Sequence, residues 1–356
     1  MRILITGATG QIGRWLLHTL APNPGLELVL ALRRPQPQLD SLRAWLAARH
    51  MQPAATLRAL PFDLDHPDRA ARLVKEAQPD MLVHLAARFA WGLSPQQAWR
   101  ANGLTSLALL RALNHQAPQA RFLHVSGFML QHRAHLARLG LDETGQTKDW
   151  PAVYCRAGGY EASKLQAHVE MRALAAALAH PLLVLHPATV AGHSVEGELP
   201  DHAALYQLCR QLLKGRLGAL PGTPAHRLPL VAVDHVARFI AALVQDPQQR
   251  GGDYLLMDPA SPPVPVLAQQ LAQALGRPAP RRHLPIPLLR LLLKGLPGLA
   301  RWSGSHPESL DFLVRDVAFD TAPAERLAAG WGLAHPPLEQ VLAATARHVR
   351  ERELRR

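Results

Sequence analysis

Residues 2–13 read RILITGATGQIG. Arg2–Thr6 is an apolar run of strand length, and Gln11–Leu20 (QIGRWLLHTL) follows with the pattern of a helix. Gly7, Gly10 and Gly13 stand between them, spaced G-x-x-G-x-x-G. Glycine at such a turn admits positive φ and lets backbone N–H groups approach a pyrophosphate at the helix N-terminus. Gly13 lets the helix pack closely on the strand. A glycine triplet alone says little. Its position between a strand and a helix gives it meaning.

Working outward, further strands are expected at Leu26–Leu32 (LELVLAL), Thr56–Leu60, Met81–Leu85 (MLVHL), Arg121–Ser126 (RFLHVS) and Leu182–His186 (LLVLH). Helices are expected around Pro67–Ala77, Ser94–His115 and Gly158–Ala179. Short apolar runs separated by helices mean parallel strands covered on both faces. The fold class is therefore α/β, a doubly wound parallel Rossmann-type sheet. Beyond about residue 190, prolines and glycines cluster at 197–200, 218–229, 258–265 and 276–287. Short helices (Ala203–Lys214, His235–Gln245) mix there with short strands such as Gly252–Met257. This predicts a nucleotide-binding domain over 1–190, with a contribution from 228–257, and a smaller loop-rich substrate region over 191–356.

The composition agrees with a large core: 48% of the 356 residues are hydrophobic and 19% charged, which excludes global disorder. The net charge is +12, and only five of the 39 basic residues are Lys. Two readings fit that charge: a solvated Arg-rich surface, or attraction for an anionic partner such as a phosphorylated cofactor, an acidic carrier protein or anionic lipid. Scattered basic residues and 5% aromatics argue against nucleic acid. Cys155 and Cys209 are too few for a disulfide framework or a thiolate metal site. No histidine spacing matches a zinc signature; His132 with His135, and His193 with His202 near Glu196, Glu198 and Asp201, come nearest, and no metal is expected. Met1 leads straight into a strand without a secretory leader, and no apolar stretch is long enough to span a membrane, so a cytoplasmic location is expected. Ile286–Leu299 (IPLLRLLLKGLPGL) reads either as an amphipathic helix packed on the small domain or a dimer partner, or as a pocket lip or peripheral membrane patch. Both monomer and homodimer stay open.

About 20 residues after Gly13 the second strand ends at ALRRP. An Asp or Glu there would hold the ribose 2′-OH of NAD. Arg33 and Arg34 stand there instead, and two guanidiniums suit the 2′-phosphate of NADP. The alternative is a pair of surface charges. Asp63, after the third strand, suits either the adenine amino group or a turn. Residues 160–164 read YEASK, so Tyr160 and Lys164 share one helical face. A phenol has a reference pKa of about 10, and an adjacent ammonium is expected to lower it. Tyr154 is the rival tyrosine, but Gly158 occupies the corresponding position four residues on.

These motifs make the chain resemble an extended short-chain dehydrogenase/reductase. The matching stretches are TGATGQIG, DLD at 63–65, HLAA at 84–87, Asn102, HVS at 124–126, YEASK, HPATVAG at 186–192 and VAVDHV at 231–236, in family order. HLAARFAWGLSPQQAWRANGLTSLALLRAL, GHSVEGELPDH and RLPLVAVDHVARFI are further similar to the acyl-thioester and fatty acyl-CoA reductase branch. The resemblance implies Tyr160 as proton donor, Lys164 as its tuner and ribose ligand, and Asn102 as a support of the active-site helix. It implies a cofactor lining of Gly7, Thr9, Gly10, Gln11, Ile12, Gly13, Asp63, Leu64, Leu85, Ala86, Ala87, Asn102 and Lys164, with Pro187, Ala188 and Val190 at the nicotinamide. Two departures stand out. Where the family has V-S-[ST], this chain has V-S-G, so Ser126 either takes the carbonyl-polarising role or a donor is lost at Gly127. The Arg of the family's R-P is His186.

The leading expectation is an NADP-dependent reductase of a small-molecule carbonyl: an acyl thioester on CoA or a carrier protein, an aldehyde or a ketone. A sugar-nucleotide epimerase, dehydratase or reductase uses the same Tyr and Lys. A non-catalytic NADP-binding sensor or scaffold is the third reading, which Gly127 favours and the Tyr160–Lys164 pair opposes.

Overall fold

The computed structural model describes residues 1–89, 92–142, 144–296, 298 and 307–356. They divide into two compact units, Met1–His186 with Ala237–Leu255, and Pro187–Val236 with Leu256–Arg356.

The first unit begins β1 (Arg2–Thr6), α1 (Gln11–Leu20), β2 (Glu27–Leu32), α2 (Pro35–Ala47), β3 (Thr56–Pro61), α3 (Ala70–Ala77) and β4 (Met81–His84). It continues with α4 (Pro95–Ala98), a π-helical segment (Trp99–Leu104), α5 (Thr105–Gln116), β5 (Arg121–Val125), α6 (Arg133–Leu139), α7 (Trp150–Ala177) and β6 (Leu182–Pro187). The chain then makes β7 (Thr189–Ala191), α8 (Ala204–Leu213), β8 (Leu220–Pro221) and β9 (Leu230–Ala232). It proceeds through α9 (Val233–Gln245) and β10 (Gly252–Leu256). α10 (Val264–Leu275), β11 (His283–Leu284), α11 (Ile286–Gly295), α12 (Ala322–Gly330) and α13 (Leu338–Leu354) follow.

Seven strands form one sheet in the order β10-β6-β5-β4-β1-β2-β3. The pairs β1–β2, β2–β3, β1–β4, β4–β5 and β5–β6 are all parallel. The connections run outward in both directions from β1 and β4. Their carboxyl ends therefore diverge into a crevice at the point where the order reverses, the place where such sheets bind ligands. Ile3, Leu4 and Ile5 of β1 and Leu82 and Val83 of β4 are fully buried, as strands covered on both faces must be. One core of this unit joins Leu4, Val29, Leu82, Leu110 and Phe122. In the second unit β7 pairs with β9 and β8 with β11, both parallel. Its core gathers Tyr206, Leu230, Leu271, Val341 and Leu342.

The strand expected at Gly252–Met257, within the 228–257 stretch expected to contribute to the nucleotide-binding domain, is β10, the seventh strand of the main sheet beside β6. The helix expected at Ser94–His115 is interrupted by the π-helical segment, where a Cβ on Gly103 would meet the Trp99 ring at 1.9 Å. The helix expected from Gly158 begins just after it, since Gly158 is non-helical with φ 79° and ψ 167°; a further helical stretch from Trp150, capped by Asp149, precedes that break within α7. Among the described residues no helix is long and apolar enough to cross a membrane. In the stretch Ile286–Leu299, α11 buries Leu293 and exposes Leu288 and Leu291; Pro297 and Leu299 lie outside the described residues.

Arg121, on β5, ties this sheet to the end of α9. Its guanidinium donates to the carbonyls of Leu243, Val244, Asp246 and Gln249 at 2.5–3.1 Å and is only 5% exposed. A cation there also suits the negative end of the helix dipole. Arg121→Met leaves those buried carbonyls without a donor and is expected to cost about 3 kcal/mol, read as a lower urea midpoint at unchanged m. A loss below about 1 kcal/mol would show that water replaces the guanidinium.

Candidate active site at the sheet crevice

β1 ends at Thr6 and the chain turns at Gly7, whose φ is 77°. A Cβ on Gly7 would lie 2.7 Å from the Ala86 nitrogen and 2.9 Å from its Cα. The chain leaving β4 passes directly against the turn, which only glycine permits. Gly10 N–H donates to the Gly7 carbonyl at 3.0 Å. Gly13 packs on the same turn, since a Cβ there would fall 2.2 Å from that carbonyl oxygen. α1 begins without a side-chain cap and without an acidic residue in its first turn, so no carboxylate offsets the positive end of its dipole. Thr9, Gln11, Ile12, Leu85, Ala86 and Ala87 are half-buried around it.

A directed chain of hydrogen bonds runs away from the turn. The Ser106 hydroxyl donates to the Asn102 carbonyl at 2.6 Å, so it accepts from His84 Nε2–H at 2.9 Å. His84 Nδ1 therefore accepts from the Thr6 hydroxyl at 2.7 Å, and Thr6 Oγ1 accepts from Ala86 N–H at 3.3 Å. Burial, aided by the Lys164 charge, pushes His84 down to about 3, so the imidazole is neutral and this direction holds. Asn102 Oδ1 accepts from Arg88 N–H at 2.7 Å, and Nδ2 donates to the Arg88 carbonyl at 3.3 Å and to Ser163 Oγ at 2.9 Å. Ser163 in turn donates to the Tyr160 carbonyl at 2.8 Å. Asn102, expected both to line the cofactor and to support the helix, has both ends of its amide committed to protein. It clamps the loop after β4 to α7.

Tyr160 sits in the first turn after the Gly158 break. Gly159 makes this possible: a Cβ there would lie 2.3 Å from the Leu93 carbonyl oxygen. The half-buried Tyr160 ring meets Phe89 edge-on, with centroids 4.6 Å apart. Its hydroxyl has no hydrogen-bond partner among the described residues. Lys164 Nζ donates to the Val125 carbonyl at 2.7 Å, at the end of β5. Here the structure corrects the expectation of an acidified phenol. Burial, with the nearby Glu161 charge, pushes Tyr160 up to about 12, and burial brings Lys164 down to about 8. The ammonium is committed to a carbonyl, and desolvation outweighs its attraction for a phenolate.

Ser126 follows Val125 directly. It is 7% exposed, and its hydroxyl has no partner among the described residues. Gly127 is extended (φ −156°, ψ 153°), and a Cβ there would meet nothing within 4 Å. The missing side chain has left open room. His186, in place of the family's Arg, lies on β6 fully buried, with Nδ1 3.2 Å from the Gly127 carbonyl oxygen and Nε2 2.8 Å from Asp253 Oδ1.

Arg33 and Arg34 lie exposed at the end of β2, and neither guanidinium is in an ion pair among the described residues. Asp63 Oδ1 accepts from Asp65 N–H at 3.1 Å, a turn, and Leu64 beside it is half-buried. Pro187, Ala188 and Val190 belong to the second unit, where Ala188 N–H donates to the Leu256 carbonyl at 2.8 Å and Val190 pairs with Val231.

The family model described as NAD dependent epimerase/dehydratase family matches residues 3–256. The chain belongs to this family. It is thereby an NAD(P)-dependent oxidoreductase of the extended short-chain dehydrogenase/reductase type. Among curated proteins no sequence matches. The terminal R domain of the myxalamid PKS-NRPS biosynthetic pathway is similar in fold, with a TM-score of 0.76 at 20% identity, over 99% of this chain and 91% of that one. UDP-glucuronic acid 4-epimerase from Bacillus cereus, in complex with NAD, has a TM-score of 0.67 at 17% identity, over 99% of each chain. WbmH from Bordetella bronchiseptica, in complex with NAD+, has a TM-score of 0.65 at 16% identity, over 98% of each.

The rival residues of this family member have other occupations. The Tyr154 hydroxyl donates to Gln166 Oε1 at 3.1 Å. His135 Nε2 lies 2.6 Å from Glu161 Oε1, and His132 and His193 accept backbone N–H groups. Phe89, Ser163 and His84 escaped the sequence reading as members of the site. His84 alone left a signal there, as a polar residue ending an apolar strand.

Proposed function

We propose that the chain reduces a carbonyl at the expense of NADPH, with Tyr160 as the proton donor, and that the carbonyl is an acyl thioester, aldehyde or ketone. The hydrogen bond from Lys164 to Val125 carries this reading. It holds the Tyr160–Lys164 face of α7 at the end of β5, beside a buried Ser126 hydroxyl that lacks a partner among the described residues. An unpartnered buried hydroxyl is costly unless it awaits a ligand.

The residues present fit the dinucleotide. The Gly7–Gly13 turn admits a pyrophosphate between backbone amides, with Thr9, Gln11 and Ile12 around it. Leu64, Leu85, Ala86 and Ala87 line the adenosine side, and the free Asp63 oxygen is an acceptor for the adenine amino group. Arg33 and Arg34, unpaired and with no carboxylate at that strand end, suit a 2′-phosphate. When bound, NADPH supplies the hydride. Tyr160, fully protonated at neutral pH, gives its proton to the substrate oxygen. Ser126 donates a hydrogen bond to the same oxygen, a contribution of about 10²–10³ in rate. Lys164 holds the helix in place and offers its remaining protons to the ribose. The likeness to a terminal R domain over nearly the whole of both chains supports a thioester substrate. The likeness to UDP-glucuronic acid 4-epimerase supports a second reading, a nucleotide sugar.

NADPH oxidation against acyl-CoA thioesters, aliphatic aldehydes and nucleotide sugars tests the reading. Turnover is expected on the first two classes. Tyr160→Phe should abolish it while leaving NADPH affinity within about threefold; unchanged turnover ends the proposal. Replacing Arg33 and Arg34 together by Ala should raise the KM for NADPH by about 10–100-fold and leave that for NADH alone. Equal effects on both cofactors would make them surface charges. Below pH 8 both Tyr160 and Lys164 carry their protons, and rising pH removes that of Lys164 first. kcat/KM should therefore fall as pH rises through about 8. A profile flat to pH 10, about two units higher, would remove the Lys164 charge from the mechanism.

A further inference from the structure

His168 on α7, His186 on β6 and Asp253 on β10 meet within the first unit, although 18 and 67 residues separate them along the chain. One ligand atom from each lies within 4.8 Å of the others. His168 is 7% exposed, and its Nδ1 is buried with no hydrogen-bond partner among the described residues. His186 is completely buried. Its Nδ1 faces the Gly127 carbonyl oxygen at 3.2 Å, which accepts only, so Nδ1 carries a proton. Its Nε2 lies 2.8 Å from Asp253 Oδ1. Two imidazoles and a carboxylate thus converge on one point, and one of the imidazoles keeps a buried nitrogen unused among the described residues.

We propose that His168, His186 and Asp253 bind a divalent transition-metal ion of the zinc class. Two imidazoles and one carboxylate are the donor set such ions select, with a fourth position left for water. Zinc bonds of about 2.0–2.2 Å put tetrahedral donors about 3.3 Å apart, so side-chain movements of about 1 Å close the site. The outer shell is already built. Gly127 fixes the His186 tautomer, and Arg172 pairs with the other Asp253 oxygen, Oδ2, leaving Oδ1 for the ion. A cleft of about 450 Å³ lined by Arg172, Ala175, Ala176, His180, Leu182 and Asp253 reaches the cluster at its carboxylate. Arg172 and Lys164, each four residues from His168 on α7, oppose the ion's charge and weaken its binding. The ion would staple α7, β6 and β10 together and hold the Gly127 turn through His186.

Calorimetric titration of the full chain with zinc chloride, chelator-treated beforehand, tests this. One ion per chain is expected, with a rise in Tm of about 3–5 °C at 100-fold excess over Kd. His168→Leu and Asp253→Asn should each weaken that site by at least about 50-fold and cancel the Tm rise, while His50→Ala, at an exposed histidine, leaves both unchanged. His168→Leu keeps the position apolar, so it decides the matter if Asp253→Asn does not fold. Absence of a one-ion site overturns the proposal. So does zinc bound by His168→Leu as tightly as by the unaltered chain, which would mean adventitious surface histidines only.

Discussion

A methyl group on Gly7 would collide with the backbone of Ala86, and that close approach orders the surroundings of the crevice. It brings the chain leaving β4 against the turn, where Thr6 reaches the Ala86 amide and His84. From His84 the polar chain continues through Ser106 to Asn102, and the Asn102 amide joins Arg88 to Ser163 on α7. The position of Tyr160 is thus referred back, bond by bond, to a glycine 153 residues earlier. Each link is buried or half-buried and has its donor and acceptor assigned, so the network resists slippage in a way that apolar packing alone does not.

Burial governs the ionisable groups here more than neighbouring charge does. Tyr160 and Lys164 stand one helical turn apart, yet each is displaced in the direction that favours its neutral form. The phenol remains a reservoir of one proton. The amine is poised near physiological pH and oriented by the Val125 carbonyl. Arg121 shows the complementary case: burial lowers its pKa too, but four carbonyls surround it and it stays charged.

The sheet was legible in the sequence because its evidence is local. Apolar runs, the glycine turn and the spacing of Tyr160 from Lys164 all lie within short windows, and periodicity reports them directly. What was not legible depends on distance through space. The acidified phenol was inferred from spacing on a helix, which says nothing of the carbonyl that captures the ammonium. The unpartnered Ser126 hydroxyl and the open room at Gly127 emerge only when β5, β6 and α7 are assembled. His186 stood out as a substitution for Arg, but its partner Asp253 is 67 residues further along the chain and meets it only when β6 and β10 pair in the sheet. The helical stretch Trp150–Ala157 before the Gly158 break was also hidden.

The π-helical segment at Trp99–Leu104 has a consequence for how such a site diverges. A π turn amounts to one residue inserted into an α-helix. Asn102 lies inside it. A chain one residue shorter at this point keeps the glycine turn, the tyrosine and the lysine, but swings the preceding side chains by about 100° around the helix axis. A different residue then faces Ser163. Loss or gain of a single codon here re-addresses the support of the reactive tyrosine while every chemically active group stays as it was.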